Sequence, residues 1–174
     1  MKTVECAKCA KCCIEPLIPL NDYEVRKITR ATGLLASKIV RFVPFEKVSW
    51  PKDSDDWVEL REGRRIMMLR HHRGKCMFLK NRRCLIYNHR PRVCRLFPVD
   101  FDFYEDGDIY EVEIQKRISG CKADVAKIPE KDKDMARIAC ADFRADENYA
   151  QKVAVWNDEN PRGTVAEFLA FIEV

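Results

Sequence analysis

Four cysteines of this chain, Cys6, Cys9, Cys12 and Cys13, fall within eight residues, and five more follow at Cys76, Cys84, Cys94, Cys121 and Cys140. No hydrophobic core needs that density so close to a terminus. Exposed thiols in a reducing compartment are stabilised by metal, and an odd total of nine argues against a framework made only of disulfides. The composition agrees. With 47% hydrophobic and 34% charged residues over 174 positions, the chain is expected to build one ordinary core without covalent staples. No apolar run approaches the length of a membrane span, and MKTVECAKCAKCC lacks the apolar stretch of a secretory leader. A cytoplasmic protein with no membrane contact is expected.

The rest of the chain supplies short elements. Asn21-x-x-Glu24 predicts a helix start, with Val25, Ile28 and Leu34 giving the apolar spacing and Gly33 suited to the C-cap. A short turn or helix over 35–39 precedes a predicted strand from Ile39 to Val43, and 49–56 reads as loop. Trp57–Leu60 and Arg65–Leu69 flank a Glu62-Gly63 turn, which predicts a hairpin. A second hairpin is expected from Cys76–Leu79 and Cys84–Tyr87 around a basic turn, with Cys76 and Cys84 on opposite arms. Arg90-Pro91 opens a short helical turn that Pro98 closes, with Pro91 at the first helical position. Alternation over Val99–Tyr104 and Ile109–Ile114 about an acidic turn, 105–108, predicts a third hairpin. A helix over 130–154 carries Met135, Ile138, Ala139, Phe143, Tyr149 and Val153 on one side. Asn160–Gly163 breaks it, and Thr164-x-x-Glu167 caps a final short helix bearing Val165, Phe168, Leu169 and Ile172. The class is α+β: small antiparallel hairpins around a cysteine-ligated metal site, with helices at both ends. One domain is expected, with a metal-binding core over 1–121 and a helical extension over 122–174.

Two residues between cysteines let two thiolates converge on one centre through a tight turn, in zinc and iron–sulfur sites alike. Cys6-x2-Cys9-x2-Cys12 starts like a ferredoxin run, but the fourth cysteine, Cys13, is adjacent rather than four residues on. Adjacent side chains tend to diverge, so two neighbouring centres, or one cluster with a further thiol beside it, are both open. Cys76, Cys84, Cys94 and Cys121 bring the set to eight, enough for two sites of four thiolates. Cys140, on the apolar side of its helix, reads as a core thiol. His71 and His72 are adjacent and point to opposite faces of a strand, so they do not chelate as a pair; with His89 they read as ordinary polar residues.

Together ECAKCAKCC, CMFL, CLIYNHRPRVCRLFP and the late GC resemble the CxxCxxCC family, also called YkgJ-like, described as a zinc- or iron-chelating domain and including relatives of flagellin lysine N-methylase. The resemblance covers about residues 5–121. It implies Cys6, Cys9, Cys12, Cys13, Cys76, Cys84, Cys94 and Cys121 as the metal-site cysteines, with Tyr87, Arg90, Pro91, Arg95 and Pro98 as associated motif positions. Tyr87, Arg90 and Arg95 are the candidates for contact with a bound group. Arg90 lies one helical turn before Cys94 and is expected to reach toward its sulfur or an anion beside it. Arg95 is expected to reach a neighbouring segment such as the strand from Asp100.

The formal charge of +4 hides a separation. Arg61–Arg95 contains twelve Lys or Arg and one acidic residue, whereas 99–115 contains seven acidic residues and no basic one. Cations beside a metal–thiolate group, pairing between the two segments, and an anionic partner all account for such a pattern. The dense N-terminal run favours a 4Fe–4S cluster over zinc, because zinc modules more often show two separated C-x2-C pairs. The leading expectation is a metal-binding protein that supports a partner protein in redox or metal handling. The alternatives are a lysine N-methylase-like enzyme using S-adenosylmethionine, which rests on the resemblance alone, and a zinc module holding nucleic acid on its basic face. No phosphate-binding glycine loop, HExxH or GxSxG is present.

Overall fold

The computed structural model describes residues 9–14, 17–103, 109–114 and 133–174. Five helices and nine short strands alternate along it: α1 (Asp22–Thr32), α2 (Ala36–Ile39), β1 (Val40–Pro44), β2 (Trp57–Val58), β3 (Arg65–Leu69), β4 (His71–His72), β5 (Lys75–Cys76), β6 (Leu79–Lys80), β7 (Arg83–Cys84), α3 (Arg92–Leu96), β8 (Val99–Phe103), β9 (Ile109–Ile114), α4 (Lys133–Glu159) and α5 (Val165–Phe171). Among the described residues every sheet is small and antiparallel, so the class is α+β. The chain divides into two compact units, one of residues 1–16 and 71–144, the other of 17–70 and 145–174. The boundary expected at 121/122 lies outside the described residues.

The second unit is organised by β3. Its Ile66, Met67, Met68 and Leu69 are all buried, which requires cover on both faces. β1 pairs along its whole length, from Val40 opposite Leu69 to Pro44 opposite Arg65. The other edge is shared: β2 pairs at Trp57–Ile66 and Val58–Arg65, and the incoming segment takes the remainder, with Leu20 N–H donating to Met67 O (3.1 Å) and Leu69 N–H to Ile18 O (2.8 Å). The face carrying Val43, Trp57, Ile66 and Met68 packs under Phe45, Val48 and Trp50. On the opposite face Phe42 meets Phe168 edge-on at 5.8 Å between centroids. Each such fully buried side chain contributes roughly 1.5–3 kcal/mol.

Helix ends follow the local sequence. The Asn21 side chain accepts from Glu24 N–H (2.8 Å) and Gly33 closes α1 in the left-handed conformation at φ 71°, as expected. Leu34 is exposed rather than part of the apolar stripe. Thr164 and Glu167 form the reciprocal capping box of α5, which holds the Glu167 carboxyl below its ordinary range. β1 starts at Val40 because Ile39 completes α2. Helix α4 runs to Glu159, five residues beyond the expected end, because Trp156 extends the stripe of Tyr149 and Val153. Its Trp156 and Asn157 also finish the free edge of β2. Trp156 Nε1 donates to Glu59 O (2.9 Å), while Asn157 donates to Trp57 O and accepts from Glu59 N–H, each at 2.8 Å. Asp22 is buried between Arg26 (2.8 Å) and Lys152 (2.6 Å), which ties α1 to α4 within this unit.

Gly163 sits under Trp156, and a Cβ added there would overlap the indole. Gly163→Ala is therefore predicted to destabilise the protein by about 1–3 kcal/mol in urea unfolding, by displacing Trp156 from Glu59 and Phe168. An unchanged midpoint would show that the indole moves at no cost.

Candidate metal centre

In the first unit the N-terminal run turns sharply. Ala10 is buried at φ 63°, and Lys11–Cys13 makes one 3-10 turn, with Cys13 N–H donating to Ala10 O (3.1 Å) and Ile14 N–H to Lys11 O (3.2 Å). This turn changes the relation of the adjacent cysteines. Rather than diverging, the Cys12 and Cys13 thiols hydrogen-bond to each other. Ile14 then bridges antiparallel to Lys75, and that register carries Cys13 alongside Cys76.

Two hairpins follow, eight residues apart and built alike. In the first, His71 opposes Cys76 and His72 opposes Lys75, with Arg73 and Gly74 at the turn; in the second, Leu79 opposes Cys84 and Lys80 opposes Arg83, with Asn81 and Arg82 at the turn. Cys76 and Cys84 thus end the returning strands of consecutive hairpins. They do not occupy opposite arms of one hairpin, as the sequence suggested. The reason lies in the turns: Arg73, Gly74, Asn81 and Arg82 all have positive φ, so each hairpin closes in two residues. The Gly74 signal in HHRGKC marks the first of them. The histidines behave as a strand pair should, His71 half-buried and His72 exposed on the other side.

The connection between the hairpins is directed at sulfur. Backbone N–H groups of Phe78 and Leu79 donate to the Cys76 sulfur. Phe78 O accepts from Leu85 N–H (2.9 Å), holding the second hairpin against this link. Such N–H donors stabilise a thiolate. Burial, with Cys84 and Cys12 within electrostatic range, nevertheless raises the Cys76 thiol above its ordinary range. Cys12 is pushed up further, first by its bond to Cys13, then by burial and the neighbouring Cys13 and Cys9. Thiols gathered this closely repel one another once ionised, and a bound cation removes that penalty. Cys9, Cys12, Cys13, Cys76 and Cys84 are thus brought into one neighbourhood, a donor set suited to zinc or iron. Among the described residues, no three Cys, His, Asp or Glu side chains converge closely enough to enclose a metal ion. Cys6 and Cys121 lie outside the described residues.

Cys94 is half-buried on α3, and Cys140 is half-buried on α4 beside the buried Ala139. Pro91 precedes α3 as its N-cap rather than occupying the first helical position. Arg90 is buried at 6% exposure. Its extended backbone before α3 turns the side chain back over the Tyr87 ring, 3.8 Å from the centroid, where Nε donates to Tyr87 O (2.8 Å) and a terminal nitrogen to Cys94 O (3.4 Å). This hydrogen bond runs to the carbonyl of Cys94, whereas the sequence pointed toward its sulfur. Arg95 is half-buried on α3, and its backbone N–H donates to Pro91 O (3.0 Å). The strand from Asp100, expected to meet it, has side chains outside the described set.

Arg90→Lys is predicted to cost about 1–3 kcal/mol in thermal or urea unfolding, because an ammonium cannot both stack on Tyr87 and span two carbonyls. Parent-like stability would show that the planar fork is dispensable.

No curated protein and no solved structure matches the chain. Among the described residues, no helix is long and apolar enough to cross a membrane. Residues 5–122, more than half of the chain, match the family described as CxxCxxCC, a putative zinc- or iron-chelating domain. With Cys12 of the N-terminal run beside Cys76 and its motif order intact, the chain belongs to this CxxCxxCC family of metal-chelating domains.

Proposed function

We propose that this chain is an iron–sulfur protein of the CxxCxxCC family that supports a partner protein in redox or metal handling. The observation that carries the reading is the surroundings of Cys76. Its sulfur accepts two backbone N–H bonds and has Cys12 and Cys84 as neighbours. That arrangement links the N-terminal run to the hairpin link and prepares donors for a metal-bound thiolate. Cys6, Cys9, Cys12, Cys13, Cys76, Cys84, Cys94 and Cys121 would hold the metal. A bound cluster would supply one-electron redox chemistry. The chain's own contribution is to hold the thiolates, aim N–H donors at sulfur and bury Cys76. Iron–sulfur is favoured over zinc by the density of Cys6-x2-Cys9-x2-Cys12-Cys13, which is one continuous run in the sequence rather than two separated pairs.

Metal and acid-labile sulfide analysis of protein purified without oxygen tests this. Iron with a comparable amount of sulfide is expected. Cys9→Ser should lose most of both, and Cys140→Ser should retain both at parent level. Zinc without sulfide would replace the cluster by a zinc centre. Absence of any bound metal, or loss in Cys140→Ser with retention in Cys9→Ser, would overturn the assignment of the cysteines.

A further inference from the structure

The basic stretch Arg61–Arg95 separates, in the structure, into cations with local roles and cations without them. Arg64 pairs with Glu59 (3.4 Å) and lies over the Phe45 and Trp57 rings. Arg65 donates to Glu62 O, Arg70 to Ser37 O and Val40 O, and Arg90 to Tyr87 O and Cys94 O. Arg73, Lys75, Lys80, Arg82 and Arg83 differ. All five are exposed on the two hairpins of the first unit, and none has an ion-pair partner among the described residues.

Two of these arginines also stand where the backbone disfavours them. Arg73 has φ 50° and Arg82 has φ 60°. Two-residue hairpin turns with both φ positive favour Asn followed by Gly, and a long side chain in that region is strained. The first turn is Arg73-Gly74 and the second Asn81-Arg82, so each keeps one favoured residue and carries an arginine at the other position. Local strain at exposed positions with no compensating ion pair among the described residues points to a role outside the fold.

The neighbouring surface indicates the partner. Ile14 is 51% exposed and bridges Lys75, and Leu85 is 62% exposed directly after Cys84. Two large apolar side chains among cations suit a protein surface better than a phosphate backbone. The chain as a whole also lacks the strong net charge that draws nucleic acid from a distance, at +4 overall. From Gly63 to Val99, a range that includes both hairpins, there is no acidic residue to repel a carboxylate-rich partner.

We propose that the tips of the two hairpins, with Ile14 and Leu85, form a docking surface for an acidic protein segment bearing apolar side chains. Arg73, Lys75, Lys80, Arg82 and Arg83 receive its carboxylates, and Ile14 and Leu85 its apolar residues. Each tip is only two residues from Cys76 or Cys84, so a docked segment lies against the candidate metal centre. The proposal goes beyond the metal-binding reading and holds whichever metal is present.

The test uses the full chain as purified, with metal content measured on each sample. Fluorescence anisotropy reads binding of three probes: a synthetic peptide with leucines spaced among glutamates, a polyglutamate peptide, and a mixed-sequence DNA duplex. The leucine-containing peptide should bind tightest and weaken with salt. Arg73→Asn with Arg82→Gly restores the favoured turn residues while removing two charges. This double variant should melt at or above the parent temperature, keep its metal, and bind that peptide roughly tenfold more weakly. Leu85→Ser should weaken the same peptide without affecting polyglutamate. The proposal is overturned if the double variant binds like the parent or melts markedly lower, if Leu85→Ser has no effect, if the duplex is the tightest probe, or if no probe binds.

Discussion

Sulfur atoms that share a neighbourhood cannot all be ionised without a cation among them, and the first unit depends on that constraint. The Cys12 and Cys13 thiols are close enough to hydrogen-bond, Cys9 adds to the field at Cys12, and Cys76 lies within range of both Cys12 and Cys84. Without metal, Cys12 and Cys76 hold their protons more tightly than ordinary thiols. With metal the same proximity becomes the source of affinity, and binding energy becomes folding energy for the segment that supplies the ligands. The N-terminal run has little else to order it. Ala10 is its one buried apolar residue among those described, and its tie to the hairpins is the bridge from Ile14 to Lys75.

The second unit rests on different physics. Its strand β3 is buried on both faces, and helices α4 and α5 bring Tyr149, Trp156, Phe168 and Phe171 into a chain of ring contacts. Trp156 and Asn157 satisfy backbone groups of β2 that would otherwise be an open edge. Nothing in this ledger calls for metal. The two units therefore separate the chain's stability into an apolar part and a thiolate part, although the sequence interleaves them.

What could be read from the sequence follows from how local each signal is. The Asn21 cap, the Gly33 terminus, the Thr164–Glu167 box and the hairpin of β8 and β9 are written in a few adjacent residues, and all appear at the expected positions. The metal-chelating family was equally legible, because its motifs preserve order as well as content. The division into units was not, since it depends on packing between 17–70 and 145–174 that no local pattern reports. The tandem hairpins were half seen. A hairpin closes at the basic turn before Cys84, but Arg73 and Arg82 at positive φ contradict ordinary turn preferences, so the sequence points to Cys76 opposite Cys84 where the structure pairs Cys76 with His71 and Cys84 with Leu79. Arg90 reaches Cys94, but not through helical spacing: it lies before α3, and its extended backbone directs it onto Tyr87 and the Cys94 carbonyl.

The most direct test of the central claim, that metal binding orders the first unit while packing alone orders the second, is amide hydrogen exchange before and after metal is removed by a chelator. The account predicts that residues 9–14 and 71–97 lose protection on removal, while α1, β3 and the 145–174 segment keep theirs. Equal protection of the hairpin region with and without metal would contradict it, as would simultaneous loss across both units.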